Sequence, residues 1–203
     1  MDEYNKLYHV LNIDVSNAIR KDFSFDKFLA ESKFAGKPAG VWFILNNLGD
    51  YFDPDWLTYM ESLDLQLGSC LIFYREPHYI HPEAHIDIFE ETKKPAIYAL
   101  NFVVDPDDDS EMVWYDVPPE SGQYARTIAD TPYVFWPMSE VENKVLDKCN
   151  IKRQLTLVSV GQAHNIIVRN KARWSFSIRF SRNSKSITNW KEAVDYFKPF
   201  MKN

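Results

Sequence analysis

The sequence predicts a mainly β protein with flanking helices, built around an antiparallel jelly roll. Between residues 69 and 181, short β-favouring runs are separated by Pro, Asp, Gly and Asn, which is the rhythm of a sandwich or barrel. No helical pattern alternates with these runs, which argues against a parallel sheet with crossover helices. The 203 residues, 45% of them hydrophobic, suffice for a single packed domain over 1–203.

Residues 1–68 are expected to add helices and one strand to this core. The helix predicted over 54–62 has the clearest start, because Asp53 can cap it and Pro54 takes its first helical position. The other predicted additions are a helix over 25–33, closed by Gly36, and a strand over 41–45.

Residues 69–181 are expected to form the jelly-roll core, and residues 182–203 a C-terminal helix. The helix is predicted over 190–198, with Asn189 as its cap and Glu192 three residues later. The eight core strands are predicted over 69–74, 85–89, 96–104, 111–117, 133–136, 154–160, 165–168 and 173–180.

Charge and composition disfavour several classes of partner. The net charge is -6 and no basic run could follow a phosphate backbone, so nucleic acid is disfavoured as a partner. The first ten residues lack the basic and apolar pattern of a signal peptide, and no window has the length of an apolar membrane span. We therefore expect a cytoplasmic protein with no membrane partner.

The triplet His85-Ile86-Asp87 lies in the strand predicted over 85–89. Side chains two residues apart in a strand leave the same face, so His85 and Asp87 point the same way. An imidazole and a carboxylate then converge on one point. Such a triplet also occurs among ordinary surface residues, so a metal site needs a third ligand from elsewhere.

His164 is the candidate third ligand, because it lies far downstream in the β-rich segment LVSVGQAHNIIVRN. Two histidines and one carboxylate on one face suit non-haem Fe(II) and oxygen chemistry. His78 and His81, in the loop HYIHPEAH, leave open a histidine-rich metal site of another kind.

The run ARWSFSIRF alternates between two faces. Its polar face carries Arg173, Ser175, Ser177 and Arg179, and its apolar face carries Trp174, Phe176, Ile178 and Phe180. On a one-sided sheet the polar face would meet water. If the flanking helices cover the apolar face instead, both arginines enter the cavity, where a buried guanidinium needs an anion.

The order of these motifs resembles the 2-oxoglutarate and iron(II)-dependent oxygenase superfamily. Its signature of His-x-Asp, a distal His and an Arg with Ser two residues later corresponds to His85-Ile86-Asp87, His164 and Arg173-Trp174-Ser175. The resemblance covers roughly residues 70–181 and implies a cupin-like double-stranded β-helix. The segments YALNFVV, in which Asn101 would face inward, and HNIIVRNKARWSFSIRF are similar to the prolyl-hydroxylase-like and aspartyl-hydroxylase-like branches.

The resemblance implies a dioxygenase that hydroxylates a substrate not identified by the sequence. The small-molecule cosubstrates would be O2 and 2-oxoglutarate, the latter leaving as succinate and CO2. The triad would hold Fe(II), Arg173 and Ser175 would hold the distal carboxylate, and Asn101 and Arg179 would complete the cosubstrate site. Two alternatives are a cupin-like metalloenzyme that does not use 2-oxoglutarate and a non-catalytic jelly-roll binding module.

Arg173, rather than Arg179, is expected to be the main anchor of the distal carboxylate. If the strand that ends at His164 pairs with the strand that Arg173 opens, Arg173 lies nearer the metal than Arg179 does. Ser175, two residues on, can add its hydroxyl to the same carboxylate.

Overall fold

The computed structural model describes residues 3–32, 35–36, 40–88, 94–127, 131–181 and 187–202. The strands are Tyr8–Val10 (β1), Gly40–Ile44 (β2), Gln66–Arg75 (β3), Glu83–Asp87 (β4), Tyr98–Val103 (β5), Glu111–Tyr115 (β6), Gln123–Arg126 (β7), Pro132–Pro137 (β8), Val145–Cys149 (β9), Thr156–Ser159 (β10), His164–Ile167 (β11) and Arg173–Ser181 (β12). The helices are Phe25–Glu31 (α1), Pro54–Ser62 (α2), Met138–Val141 (α3) and Trp190–Phe197 (α4).

The twelve strands form two six-stranded sheets. Sheet I has the order β1-β10-β5-β12-β3-β2, and sheet II has the order β7-β8-β4-β11-β6-β9. Neighbouring strands are antiparallel, and from β3 to β6 and again from β9 to β12 the chain passes from one sheet to the other at each step. The fold is a mainly β, cupin-like jelly roll, as the sequence predicts.

Helices α1, α2 and α4 cover the outer face of sheet I, whereas α3 packs against β4 and β8 of sheet II. Phe176 on β12 is fully buried there, against Phe52 beside α2 and Phe102 on β5, with ring centroids 5.3 and 5.1 Å away. Trp174 packs against Phe25 of α1. The apolar face of β12 is therefore the outer one, as predicted, and its polar face points between the two sheets.

The predicted helices and strands are present, with ends shifted by up to three residues. Helix α2 has the predicted bounds, and the side chain of Asp53 accepts a hydrogen bond from the backbone N–H of Asp55. Helix α1 ends at Glu31 and strand β4 ends at Asp87. Lys33 and Phe89, the last residues of the two predicted ranges, lie outside the described residues. Strands β1, β7 and β9 and helix α3 were not predicted. Among the described residues, no helix is long and apolar enough to cross a membrane.

The predicted pairing of the strands that carry His164 and Arg173 is wrong. His164 begins β11, which pairs with β4 and β6 in sheet II, whereas Arg173 begins β12, which pairs with β3 and β5 in sheet I. The turn between them passes from one sheet to the other, so the two strands are not neighbours.

Candidate metal and anion site

Strands β4 and β11 bring the three predicted ligands together. His85 and His164 are directly opposite each other in the antiparallel pairing, and their ring centroids lie 4.5 Å apart. Asp87 shares a face with His85, and its Oδ1 lies 3.8 Å from His85 Nε2. One ligand atom from each of the three residues lies within 4.8 Å of the other two, so a single ion can contact all three.

The surroundings of both imidazoles favour the neutral form, which can bind a metal ion. His164 Nδ1 lies 2.9 Å from the carbonyl oxygen of Gln162, which can only accept, so Nδ1 carries the hydrogen and Nε2 keeps its lone pair. Burial lowers the pKa of His164. The pKa of His85 is lowered well below its usual value, mainly by burial and next by the proximity of His164. His85 Nδ1 is buried with no partner among the described residues. A neutral imidazole is the form that binds a metal ion.

Arg179 holds the carboxylate of the triad. Its Nη2 donates to Asp87 Oδ2 at 3.0 Å, and its Nη1 donates to Ser177 Oγ at 2.9 Å. Because Oδ2 is engaged, Oδ1 is the oxygen that faces His85. Arg179 therefore lies beside the triad, and the expectation that Arg173 would lie nearer is wrong, since it depended on the incorrect strand pairing.

A cavity of about 580 Å³ lies between the two sheets, within the range of small-molecule sites. The triad, the polar face of β12 and inward residues of β2, β3 and β5 line it. Asn101 is one of them, and its Oδ1 is buried with no partner among the described residues. The cavity thus offers both a metal-type donor set and uncommitted polar groups.

Arg173 lies in the wall of the same cavity, 3% exposed. Its Nη1 donates to Ser175 Oγ at 2.8 Å, while its Nε is buried without a partner among the described residues. Burial, together with the positive charge of Arg75, lowers the pKa of Arg173 to about 9. The guanidinium is still charged at neutral pH, and no carboxylate of the described residues lies within 4.0 Å of it, so it presents a positive charge to the cavity.

Arg75 is a site residue for which the sequence leaves two interpretations open, a residue at the edge of the active site or an ordinary strand-end residue. It is 9% exposed, lines the cavity and is paired directly with Arg173 across β3 and β12. Its guanidinium lies 5.3 Å from the ring centroid of Phe73 and 5.8 Å from that of Tyr79. The signal that could have found it is alternation along β3, which places Ser69, Leu71, Phe73 and Arg75 on one face.

His78 and His81 do not join the triad. His78 is exposed with a backbone φ of 61°, whereas His81 lines the cavity with its Nδ1 against the backbone of Glu83. Of the described residues, only His85, Asp87 and His164 form a group of three metal-ligating side chains. Among the described residues, His78 and His81 therefore form no separate histidine-rich metal site.

Comparison with solved structures gives matches of low identity. A Pseudomonas putida prolyl-4-hydroxylase is 12% identical with a TM-score of 0.37, over 71% of this chain and 73% of that one. The structure of E. coli ycfD is 12% identical with a TM-score of 0.41, over 90% and 52%. The vicilin from Solanum melongena is 11% identical with a TM-score of 0.35, over 89% and 44%.

This chain therefore spans about half the length of the ycfD and vicilin chains. The sequence matches no protein-family model and no curated protein sequence. The functional assignment consequently depends on the geometry of the site itself.

Proposed function

We propose that this protein is a 2-oxoglutarate-dependent Fe(II) dioxygenase that hydroxylates its substrate with release of succinate and CO2. The observation that carries the proposal is that one cavity contains a group of two imidazoles and a carboxylate together with a buried arginine, Arg173, whose Nε has no partner among the described residues. The first suits Fe(II), and the second suits the distal carboxylate of a dicarboxylate cosubstrate. The single domain proposed over 1–203 would carry this site in its core, residues 69–181.

His85, Asp87 and His164 fit Fe(II) as its ligands. The donor set is the one that non-haem Fe(II) oxygenases use, the carbonyl of Gln162 fixes the tautomer of His164, and His85 is neutral. When bound, Fe(II) would supply the activation of O2, and 2-oxoglutarate would supply two of the electrons needed to reduce it.

The residues of the chain bind and orient the reactants. Arg173 would bind the distal carboxylate with its Nε and Nη groups, and the Oγ of Ser175 lies beside the same guanidinium. The side-chain amide of Asn101 would donate to the cosubstrate. Arg179 fixes the carboxylate of Asp87, and the apolar wall restricts water at the site.

The test is anaerobic reconstitution with Fe(II) followed by addition of 2-oxoglutarate. We expect one Fe(II) per chain by elemental analysis and a weak visible charge-transfer band only when both are present. On admitting O2, succinate should form, faster with the correct substrate. An anaerobic spectrum that does not change at saturating 2-oxoglutarate would favour the cupin-like metalloenzyme without 2-oxoglutarate.

The His85→Ala and His164→Ala variants should lose stoichiometric iron while remaining folded, since each removes one of three ligands. His78→Ala is the matched control, because His78 is exposed outside the triad. Full iron occupancy in the double variant His85→Ala/His164→Ala would contradict the assignment, and absence of iron from the wild type would favour a metal-free binding module.

A further inference from the structure

Two buried arginines face each other across neighbouring strands of sheet I. Arg75 on β3 and Arg173 on β12 are register partners, which places their Cβ atoms about 4.5–5.5 Å apart. They are 9% and 3% exposed. Like charges directly opposite each other destabilise a sheet, and burial removes the water that would screen them. The pair therefore needs a compensating negative charge.

The described residues do not supply that charge at close range. No carboxylate among them lies within 4.0 Å of either guanidinium. Asp108 acts on Arg173 only from beyond that distance, and its Oδ1 accepts from Ser110. Arg173 donates only to Ser175, and Arg75 makes no side-chain hydrogen bond to a described residue. The remaining N–H groups of both arginines are left for a ligand.

Arg75 lines the same cavity as the metal-type triad and Arg173. Besides burial, the positive charge of Arg75 contributes to lowering the pKa of His85, of His164 and of Arg173. Arg75 is therefore within electrostatic range of the two histidines as well as of Arg173.

We propose that Arg75 and Arg173 together form a two-guanidinium clamp that binds one carboxylate group of a dicarboxylate. The proposal of a clamp depends only on the pairing of Arg75 with Arg173 and on the cavity that both residues line. Its identification with the distal carboxylate of 2-oxoglutarate rests on the proposed function. Two guanidinium forks match a carboxylate better than one, because they offer a donor to each of its lone pairs.

The experiment is calorimetric titration of the full-length protein in two arms. In the first arm the protein is treated with a chelator and titrated with 2-oxoglutarate and, separately, with glutarate, which has two carboxylates but no keto group to chelate a metal. In the second it is loaded with Mn(II) and titrated with 2-oxoglutarate under anaerobic conditions. Arg75→Gln should reduce the affinity for both ligands by about 30-fold or more, as expected when a buried charge pair loses one partner. Arg173→Gln should do the same.

Two further variants and the melting temperature complete the test. Arg75→Lys keeps the charge but loses the fork, so an intermediate affinity is expected. Arg153→Gln is the matched control, an exposed arginine that donates to the carbonyl of Ser16 and should change neither affinity. Without ligand, Arg75→Gln should melt no lower than the wild type, since like-charge repulsion is removed, but it should gain little stability when glutarate is added.

The outcomes separate the clamp from the proposed function. Wild-type affinity in both Arg75 variants, or a wild type that binds no dicarboxylate in either arm, would overturn the clamp. A lower ligand-free melting temperature in Arg75→Gln with unchanged affinity would show a packing role and would also overturn it. If glutarate binding depends on both arginines while 2-oxoglutarate binding does not depend on the metal, the clamp stands and the Fe(II)/2-oxoglutarate assignment fails.

Discussion

At the scale of single residues, Arg179 and Arg173 make separate contacts although they share one strand face, and we propose that their tasks differ accordingly. Arg179 contacts Asp87, whereas Arg173, whose Cα lies about 20 Å away along the strand, donates to Ser175. A residue that orients a metal ligand typically changes metal affinity by about 10–100-fold when it is replaced. Arg179→Gln should therefore weaken Fe(II) or Mn(II) binding by that amount.

Arg173→Gln should leave metal affinity close to that of the wild type and reduce the affinity for 2-oxoglutarate by about 30-fold or more. Titrating each variant separately with metal and with 2-oxoglutarate measures the two effects, with Arg153→Gln as the control. A larger loss of 2-oxoglutarate affinity in Arg179→Gln, with metal binding intact, would show that the tasks are exchanged.

The sequence could predict that the three triad residues converge, but it could not predict all the residues that surround them. His85 and Asp87 follow from the two-residue period of a strand, and the distant His164 follows from the chemistry of the donor set. The approach of Arg75 to Arg173 depends on which strands pair and in which register, and a local pattern contains neither. For the same reason the expected position of Arg173 relative to the metal was wrong.

At the scale of elements, strand β2 packs tightly against the loop after β3. Gly40 is the register partner of Arg75, and a Cβ built on Gly40 would lie 2.4 Å from a ring carbon of Tyr79. The ring of Tyr79 also lies beside the guanidinium of Arg75. Gly40→Ala must therefore push this ring away from both strands.

We expect Gly40→Ala to reduce the free energy of unfolding by about 1–3 kcal/mol, the usual cost of overpacking. Urea denaturation followed by tryptophan fluorescence measures it. Gly49→Ala is the matched control, because a Cβ there meets only the Oδ1 of Asn47, at 3.7 Å. Equal stability of the two variants would show that the ring of Tyr79 moves aside at no cost.

The strands that the sequence predicts are those with a buried face. Strand β12 alternates along its length and β6 is a run of buried residues, so both have a clear pattern. Strands β7 and β9 form the two edges of sheet II and are largely exposed, so no hydrophobic alternation distinguishes them from loops. Strand β1 has only three residues, too few to show a period.

At the scale of the whole molecule, the two ends of the described chain meet on the outer side of sheet I. Backbone hydrogen bonds join Asn12 to Phe200 and Lys202 to Val10, and the indole of Trp190 donates to the carbonyl of Lys6. The capping pattern predicts helix α4. Its contact with the N-terminal strand could not be predicted, because nothing local links residues so far apart in sequence.

Phe197 holds helix α4 against sheet I, and its replacement tests whether stability can be lowered without changing ligand binding in the cavity. The ring is fully buried, with its centroid 5.5 Å from that of Tyr98 on β5, on the face of sheet I away from the cavity. Removing a buried phenylalanine leaves a cavity and typically costs about 3–5 kcal/mol, so Phe197→Ala should lower the urea midpoint strongly. Tyr59→Ala is the matched control, because Tyr59 is 39% exposed and its loss should cost about 0.5 kcal/mol or less. The folded Phe197→Ala protein should bind Mn(II) and 2-oxoglutarate as the wild type does, since the triad lies on sheet II and Arg75 and Arg173 lie on the cavity face of sheet I, away from Phe197. Weaker ligand binding by protein that circular dichroism shows to be fully folded would mean that the helix layer also sets the position of β5 and β12 in the cavity wall.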